Sequence, residues 1–202
     1  MSYQITDDYL LPSQSPFEVF EKWFLETKSK MVDDPTIMTL STVKSGRPKA
    51  RTILLKDFNS KYFTFFTNYS SDKGKEIEET PFGALTFFWK SCDYQIRIEG
   101  KIRKSAPEVS DGYFSSRARE SQLASSCSEQ SKTISSRQEL LDKLEAMDKT
   151  YKNTDIPRPK NWGGYDLIPD RFIFFIYGKH RINDRFEFKL EGDKWTISRL
   201  QP

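Results

Sequence analysis

Hydrophobic positions along the chain follow two rhythms, and the switches between them mark out the elements. Phe17, Phe20, Trp23 and Phe24 recur at helical spacing behind Ser15 and Pro16, an N-cap residue and a first-turn proline. Residues 16–30 therefore read as an amphipathic helix, ended by Asp33-Asp34-Pro35. From Thr36 the rhythm is that of strands: Ile37–Val43, Lys49–Phe58 and Tyr62–Asn68, with Lys44–Pro48 as a turn. The connections are too short for crossover helices, which predicts an antiparallel meander. Ser70 and Ser71 can cap a short helix that runs to Thr80. Phe82–Trp89 and Tyr94–Lys104 are two further strands. The second alternates cleanly, with Tyr94, Ile96 and Ile98 on one face and Gln95, Arg97 and Glu99 on the other.

Pro107 opens a helical region that runs, with a break, to about residue 127. Residues 136–152 form another amphipathic helix with Leu140, Leu141, Leu144 and Met147 on its apolar face. Strands return at Tyr165–Leu167, Phe172–Tyr177, Arg181–Leu190 and Trp195–Leu200, with Glu191-Gly192-Asp193 as a turn. There is no internal repeat and no linker composition. Short antiparallel strands with helices at the rim predict a mainly β (α+β) fold, an antiparallel Greek-key or split β-barrel with flanking helices. Residues 1–15 read as a flexible polar arm and residues 16–202 as a single domain.

Composition narrows the function classes. Sixteen Phe give the core large rings to bury. No apolar run approaches a membrane span, and the N-terminus has no signal-peptide pattern. Two cysteines, Cys92 and Cys127, make neither a disulfide framework nor a zinc set, so a reducing cytoplasm and no metal are expected. A net charge of +3 is too small to imply nucleic acid. The single histidine, His180, argues against Ser/His or Cys/His catalysis and against a histidine-rich metal site.

Four polar clusters remain. Arg181, Asn183 and Arg185 alternate, so on a strand they share one face, two guanidinium forks about an amide. Arg51-Thr52-Ile53-Leu54-Leu55-Lys56 has charged ends and an apolar middle. Its odd spacing turns Arg51 and Lys56 to opposite faces of a regular strand. Thr67–Lys75 runs from a strand into a capped helix start carrying Lys73, a place that suits phosphate, although Asp72 opposes it. Tyr113, Arg117 and Ser121, spaced i, i+4, i+8, line one face if the helix continues that far. Gln95 and Gln130-Ser131 could read the edge of a heterocycle. Taken alone, the Arg181–Arg185 row is better read as a solvated strand and Thr67–Lys75 as a helix cap, and the other clusters are as readily a strand with charged ends or a polar helix face. Together they offer two separate phosphate grips and a flat apolar slot, which fits a bound redox cofactor better than acid–base hydrolysis.

Over about residues 15–202 the sequence resembles the pyridoxamine/pyridoxine 5′-phosphate oxidase family. The resemblance lies in Asp34-Pro35-Thr36, Arg51–Lys56, Phe66-Thr67-Asn68, Lys73-Gly74-Lys75, Gln95-Ile96-Arg97, Tyr113-Phe114 with Ser116-Arg117, Ser121-Gln122, Gln130-Ser131, Trp162-Gly163-Gly164, Arg181–Arg185 and Arg199–Pro202. It implies an FMN-binding split barrel, a homodimer with sites at the interface, and a cytoplasmic pyridoxal 5′-phosphate synthase. In that reaction a hydride passes from C4′ of pyridoxamine or pyridoxine 5′-phosphate to flavin N5, and O2 reoxidises the flavin to give hydrogen peroxide. The resemblance assigns FMN to Arg51, Thr52, Ile53, Leu54, Leu55, Lys56, Phe66, Thr67, Lys73, Gln95, Gln130, Ser131, Phe175 and Arg185. It assigns the substrate phosphate to Lys56, Tyr113, Arg117 and Ser121, and the reacting ring and catalysis to Arg181 and Asn183. Asp72, Phe175 and Asn183 stand where the family commonly has arginine, tryptophan and histidine. Two alternatives stay open: a split-barrel oxidase of another ring, of the phenazine-pathway type, and a non-catalytic binder of FMN or pyridoxal phosphate.

Overall fold

Apolar residues on alternate strand positions converge on one barrel interior, sealed at one side by an aromatic helix. The computed structural model describes residues 15–32 and 34–202, so the predicted arm, apart from Ser15, and Asp33 lie outside the described residues. In chain order the elements are α1 (Pro16–Lys30), β1 (Ile37–Lys44), β2 (Arg47–Leu54), β3 (Asp57–Phe58), β4 (Phe63–Asn68), α2 (Asp72–Glu79), β5 (Phe82–Trp89), β6 (Tyr94–Lys104), α3 (Pro107–Ser116), α4 (Arg119–Cys127), α5 (Arg137–Thr150), β7 (Trp162–Ile176), β8 (Asp184–Glu191) and β9 (Lys194–Leu200). The expected class stands: an antiparallel split barrel with flanking helices. Among the described residues no helix is long and apolar enough to cross a membrane.

The strand order β2-β1-β5-β6-β7-β4-β3, with β8 and β9 added beside β7, is not the meander expected for the first strands. β2 and β1 do form a hairpin, turning on Ser45 and Gly46, both at positive φ. β4, however, is buried at nearly every position and cannot sit at an exposed edge, so it crosses the barrel to pair with β7. Two consecutive residues make the crossing. The Leu55 N–H donates to Thr36 O at 2.8 Å, and the Lys56 N–H donates to Thr64 O at 2.9 Å.

The two strands expected at 165–167 and 172–177 are one, β7. Pro169 does not break it because the register slips there, opposite Glu99 and Gly100, where no ladder N–H is needed. β7 pairs with β6 along one edge. Its other edge is divided, with β4 on Trp162–Leu167 and β8 on Arg171–Ile176.

α1 begins where predicted, with the Ser15 N–H donating to the Glu18 carboxylate. Its Phe17, Phe20 and Trp23 are buried in the barrel core. The Phe20 ring lies 4.8 Å from Phe63 and 5.2 Å from Phe87, and Trp23 stacks on Tyr94 at 4.0 Å. α5 departs from expectation: Leu144 and Met147 touch a small second core with Phe114 and Trp162, whereas Leu140 and Leu141 stay exposed.

Candidate functional site

Side chains from β2, β4, α2 and the segments 113–131 meet in two adjoining cavities. The first, of ≈340 Å³, is lined by Lys56, Phe66, Thr67, Asn68, Tyr113, Arg117, Ala124, Ser125, Ser128, Gln130 and Trp162. The second, of ≈370 Å³, is lined by Lys44, Lys49, Ala50, Arg51, Asp72, Lys73, Glu76 and Ser131. A shared wall joins them. Thr67 Oγ1, at the end of β4, accepts from Lys73 Nζ at 3.3 Å and donates to Gln130 Oε1 at 2.9 Å. Gln130 and Ser131 are consecutive, one in each cavity.

The second cavity is built around a buried cation. Ser71 caps α2, accepting from the Gly74 N–H, and so turns Lys73 inward. Among the described residues Lys73 makes hydrogen bonds to hydroxyls alone, those of Thr67 and Ser71. Its pKa is drawn below the usual lysine value by burial first and by the nearby Arg51 charge second, while Asp72 and Glu76 partly offset both. Arg51 is held by Thr42 and by the Glu76 carboxylate, which also accepts from Thr42. A desolvated ammonium beside a guanidinium, with hydroxyl partners, is a donor set that gains by taking in a dianion such as a phosphate monoester.

Burial would raise the Glu76 pKa, but the hydrogen bonds from Thr42 and Arg51 outweigh it and hold the group below the ordinary carboxylate value. A lowered folded-state pKa contributes stability above the unfolded value and loses it as pH falls through the folded value. Glu76→Gln is therefore expected to cost about 1–3 kcal/mol at neutral pH. It should also flatten the loss of stability below the unfolded carboxylate range, as measured by urea unfolding from pH 7 to pH 3.

The first cavity has an aromatic wall. Phe66 and Tyr113 stack at 4.0 Å, and Phe66 and Trp162 at 5.5 Å. Arg117 lies over the Trp162 ring at 4.9 Å and donates to Ser125 Oγ at 2.7 Å. Burial draws its pKa below the ordinary guanidinium value. Gly163 and Gly164 follow Trp162 because a Cβ there would meet Tyr69 Oη at 2.1 Å and Ser105 Oγ at 2.6 Å. With Lys56 also in its lining, the cavity can hold a flat ring and a second anion.

Of the predicted residues, Arg51, Lys73 and Ser131 come together in one cavity, and Lys56, Phe66, Thr67, Tyr113, Arg117 and Gln130 in the other. The opposite facing of Arg51 and Lys56 is thus resolved by each serving its own cavity. Thr52 and Leu54 point outward, Ile53 packs on the core and Leu55 is within it, so these four line neither. The single helix face through Tyr113, Arg117 and Ser121 does not form. α3 ends at Ser116, Arg117 is extended, and α4 starts at Arg119. Ser121 therefore leaves the cavity lining, and Ser125 and Ser128 take part in it instead.

The remaining predicted residues form a separate row. Gln95, Phe175 and Arg185 are directly paired across β6, β7 and β8, so they share one face. Exposed Phe88 and Tyr177 adjoin them. Arg181 and Asn183 are not on the strand as expected, because β8 starts at Asp184. They lie in a tight loop in which the Gly178 N–H donates to Asn183 Oδ1 at 3.0 Å, and His180 and Arg181 hold positive φ. A Cβ on Gly178 would meet Ile182 O at 1.9 Å, so the close turn of this loop needs glycine there. Non-glycine residues held at positive φ are uncommon and gather at functional sites. The sequence reading missed Lys44, Lys49, Glu76, Asn68, Ser125, Ser128 and Trp162 as lining residues. Trp162, an aromatic ahead of two glycines, carried the one usable signal.

Two family models match the chain. One, described as pyridoxamine 5′-phosphate oxidase, covers residues 25–151, and one described as the pyridoxine 5′-phosphate oxidase C-terminal dimerisation region covers residues 162–202. A pyridoxine/pyridoxamine 5′-phosphate oxidase of Gloeothece citriformis is 42% identical over 190 residues, 93% of this chain and 89% of that protein. Among solved structures, PhzG from Burkholderia lata 383, in complex with tetrahydrophenazine-1-carboxylic acid, superposes with a TM-score of 0.92 at 25% identity over 98% of both chains. A pyridoxamine 5′-phosphate oxidase-related, FMN binding protein from Nostoc punctiforme shares the fold, with a TM-score of 0.75 at 16% identity over 95% of this chain and all of that one.

Proposed function

Since the chain belongs to the pyridoxamine 5′-phosphate oxidase family, we propose that it is an FMN-dependent oxidase. It converts pyridoxamine or pyridoxine 5′-phosphate to pyridoxal 5′-phosphate in the cytoplasm, with O2 as acceptor and hydrogen peroxide as by-product. The observation that carries this reading is the pair of adjoining cation-lined cavities, one around the buried Lys73 and one between Lys56 and Arg117. Bound FMN supplies the hydride acceptor. Lys73, Arg51 and Ser131 hold its phosphate, and Phe66, Thr67 and Gln130 meet its ring system. Lys56, Tyr113 and Arg117 hold the substrate phosphate, with Ser125 orienting Arg117 through its hydrogen bond.

The row Gln95–Phe175–Arg185 lines neither cavity of its own protomer, and much of it belongs to the region described as a dimerisation region. A homodimer in which a second copy lays this row and the Arg181 loop over the cavities completes the site. Residues 16–202 then act as one FMN-binding domain whose active unit is the pair, and sedimentation at micromolar concentration should give the dimer mass.

Purified protein is expected to show a flavin spectrum that bleaches on adding pyridoxine 5′-phosphate without air, and to release peroxide when air is admitted. Flavin-loaded protein inert to both phosphorylated vitamers would sink the proposal. Arg117→Ala should raise KM for the phosphorylated substrate by roughly 10–100-fold, the weight of one charge-assisted contact, with a smaller change in kcat. The likeness to PhzG favours one second reading, oxidation of a tricyclic ring acid. That reading requires an unchanged KM in Arg117→Ala and turnover without a substrate phosphate.

A further inference from the structure

Two lysines that line the second cavity are not explained by the contacts already described, and they stand opposite a carboxylate that an anion would avoid. Asp72 is the first residue of α2, at the end of a helix that otherwise favours negative charge, and it lines the cavity. Across from it is the β1–β2 hairpin. Lys49 and Arg51 are two apart on β2 and so share a face. Thr42 is paired directly with Lys49, and Lys44 lies two residues beyond Thr42, which puts both on that same face. Lys44 also acts on Glu76 through space, helping to lower its pKa. Arg51 is occupied by Glu76 and Thr42, which leaves one fork of limited reach for a ligand. Lys44 and Lys49 are exposed, and no carboxylate among the described residues pairs with either.

We infer that Lys44 and Lys49 are phosphate-binding residues of this chain, which grip the FMN phosphate from the hairpin side and offset the repulsion from Asp72. The inference rests on the FMN reading above and adds to it a charge arrangement: the phosphate sits between a buried ammonium below and two mobile ammonium groups at the mouth. Long lysine stems suit that role, because they can close over the phosphate once it is seated.

The test is flavin binding rather than turnover. Apoprotein is titrated with FMN and, separately, with riboflavin, which lacks the phosphate, and quenching of flavin fluorescence is followed. The double variant Lys44→Gln/Lys49→Gln is expected to weaken FMN about tenfold, the sum of two exposed charge contacts, and to leave riboflavin unchanged. Its FMN affinity should also depend less steeply on salt. Asp72→Asn should tighten FMN and leave riboflavin alone. An FMN Kd in the double variant within twofold of the parent overturns the inference, as does equal weakening of both flavins, which would mark a structural role. A parent that binds neither flavin overturns the functional reading as well. Both positions are exposed on a hairpin, so an unchanged melting temperature is the control for folding.

Discussion

Arg181→Ala is expected to lower kcat on the order of 100-fold, the scale at which loss of substrate positioning acts, while leaving FMN affinity within a few-fold of the parent. In the proposed site the grip on the flavin phosphate is assigned to the Lys73 cavity, and the row through Arg185 lies on strands, so neither should depend on the Arg181 side chain. Arg181 itself is exposed in the protomer, at φ +63°, in the loop closed by Gly178 and Asn183. A backbone held in that region by surrounding contacts fixes the direction in which the Arg181 side chain leaves the chain, as strained loops at functional sites do. Arg181→Lys should recover only part of the rate, because an ammonium cannot lie flat on a ring. Asn183→His, by contrast, should keep or raise turnover. The imidazole Nδ1 can accept the Gly178 N–H as the amide oxygen now does. Asn183→Leu removes that acceptor and should slow the enzyme by freeing the loop. Stopped-flow reduction of the bound flavin by pyridoxine 5′-phosphate reads each case, and a rate in Arg181→Ala within fivefold of the parent would return this loop to ordinary surface.

The second large effect is on stability. Phe20→Ala should cost about 3–5 kcal/mol, the usual range for emptying a fully buried phenylalanine. Phe20 is 0% exposed, with Phe24, Phe58, Phe63, Phe87 and Trp89 all within 6.0 Å between ring centroids. These rings come from α1, β3, β4 and β5, so no single element can move in to refill the gap. Urea unfolding should show the full loss, and the melting temperature should fall by roughly 10 °C or more. Leu141→Ala, on the exposed side of α5, should change stability by less than about 0.5 kcal/mol. Comparable costs for the two would mean that α5 is covered and α1 is not the seal of the barrel.

Local rhythm was legible wherever burial alternates cleanly. α1, β5 and β6 begin and end where the pattern puts them, because one face of each is buried and the other is not. What was not legible is which strand lies beside which. β4 reads locally as the third strand of a meander, and only its burial on both faces takes it off that hairpin to lie between β7 and the short β3. Pro169-Asp170 reads as a break, yet the register slip makes room for the proline inside β7. In the site, Lys73, Arg51 and Arg117 were found from residue type and spacing. Lys44 and Lys49 were not. Lys49 shares a face with Arg51 by simple alternation but lies outside the Arg51–Lys56 motif, and Lys44 joins that face only through the hairpin register. Ser121 was expected on a continuous helix, and the extended residue at Arg117 moved that role toward Ser125.

The divided edge of β7 also sets the order in which the barrel can be made. β4 has β3 on one side and β7 on the other, and its partners Tyr165 and Asp166 follow Phe65 and Thr64 by about a hundred residues. While the chain emerges from the ribosome, Phe63 and Phe65 must wait beside an unsatisfied strand edge until Trp162–Ile176 arrives. A single late segment then joins β6 and β4 and leaves its Arg171–Ile176 edge for the hairpin that bears Arg185, so closure of the barrel precedes docking of that hairpin, and a nascent chain stalled before residue 162 leaves the β4 edge open.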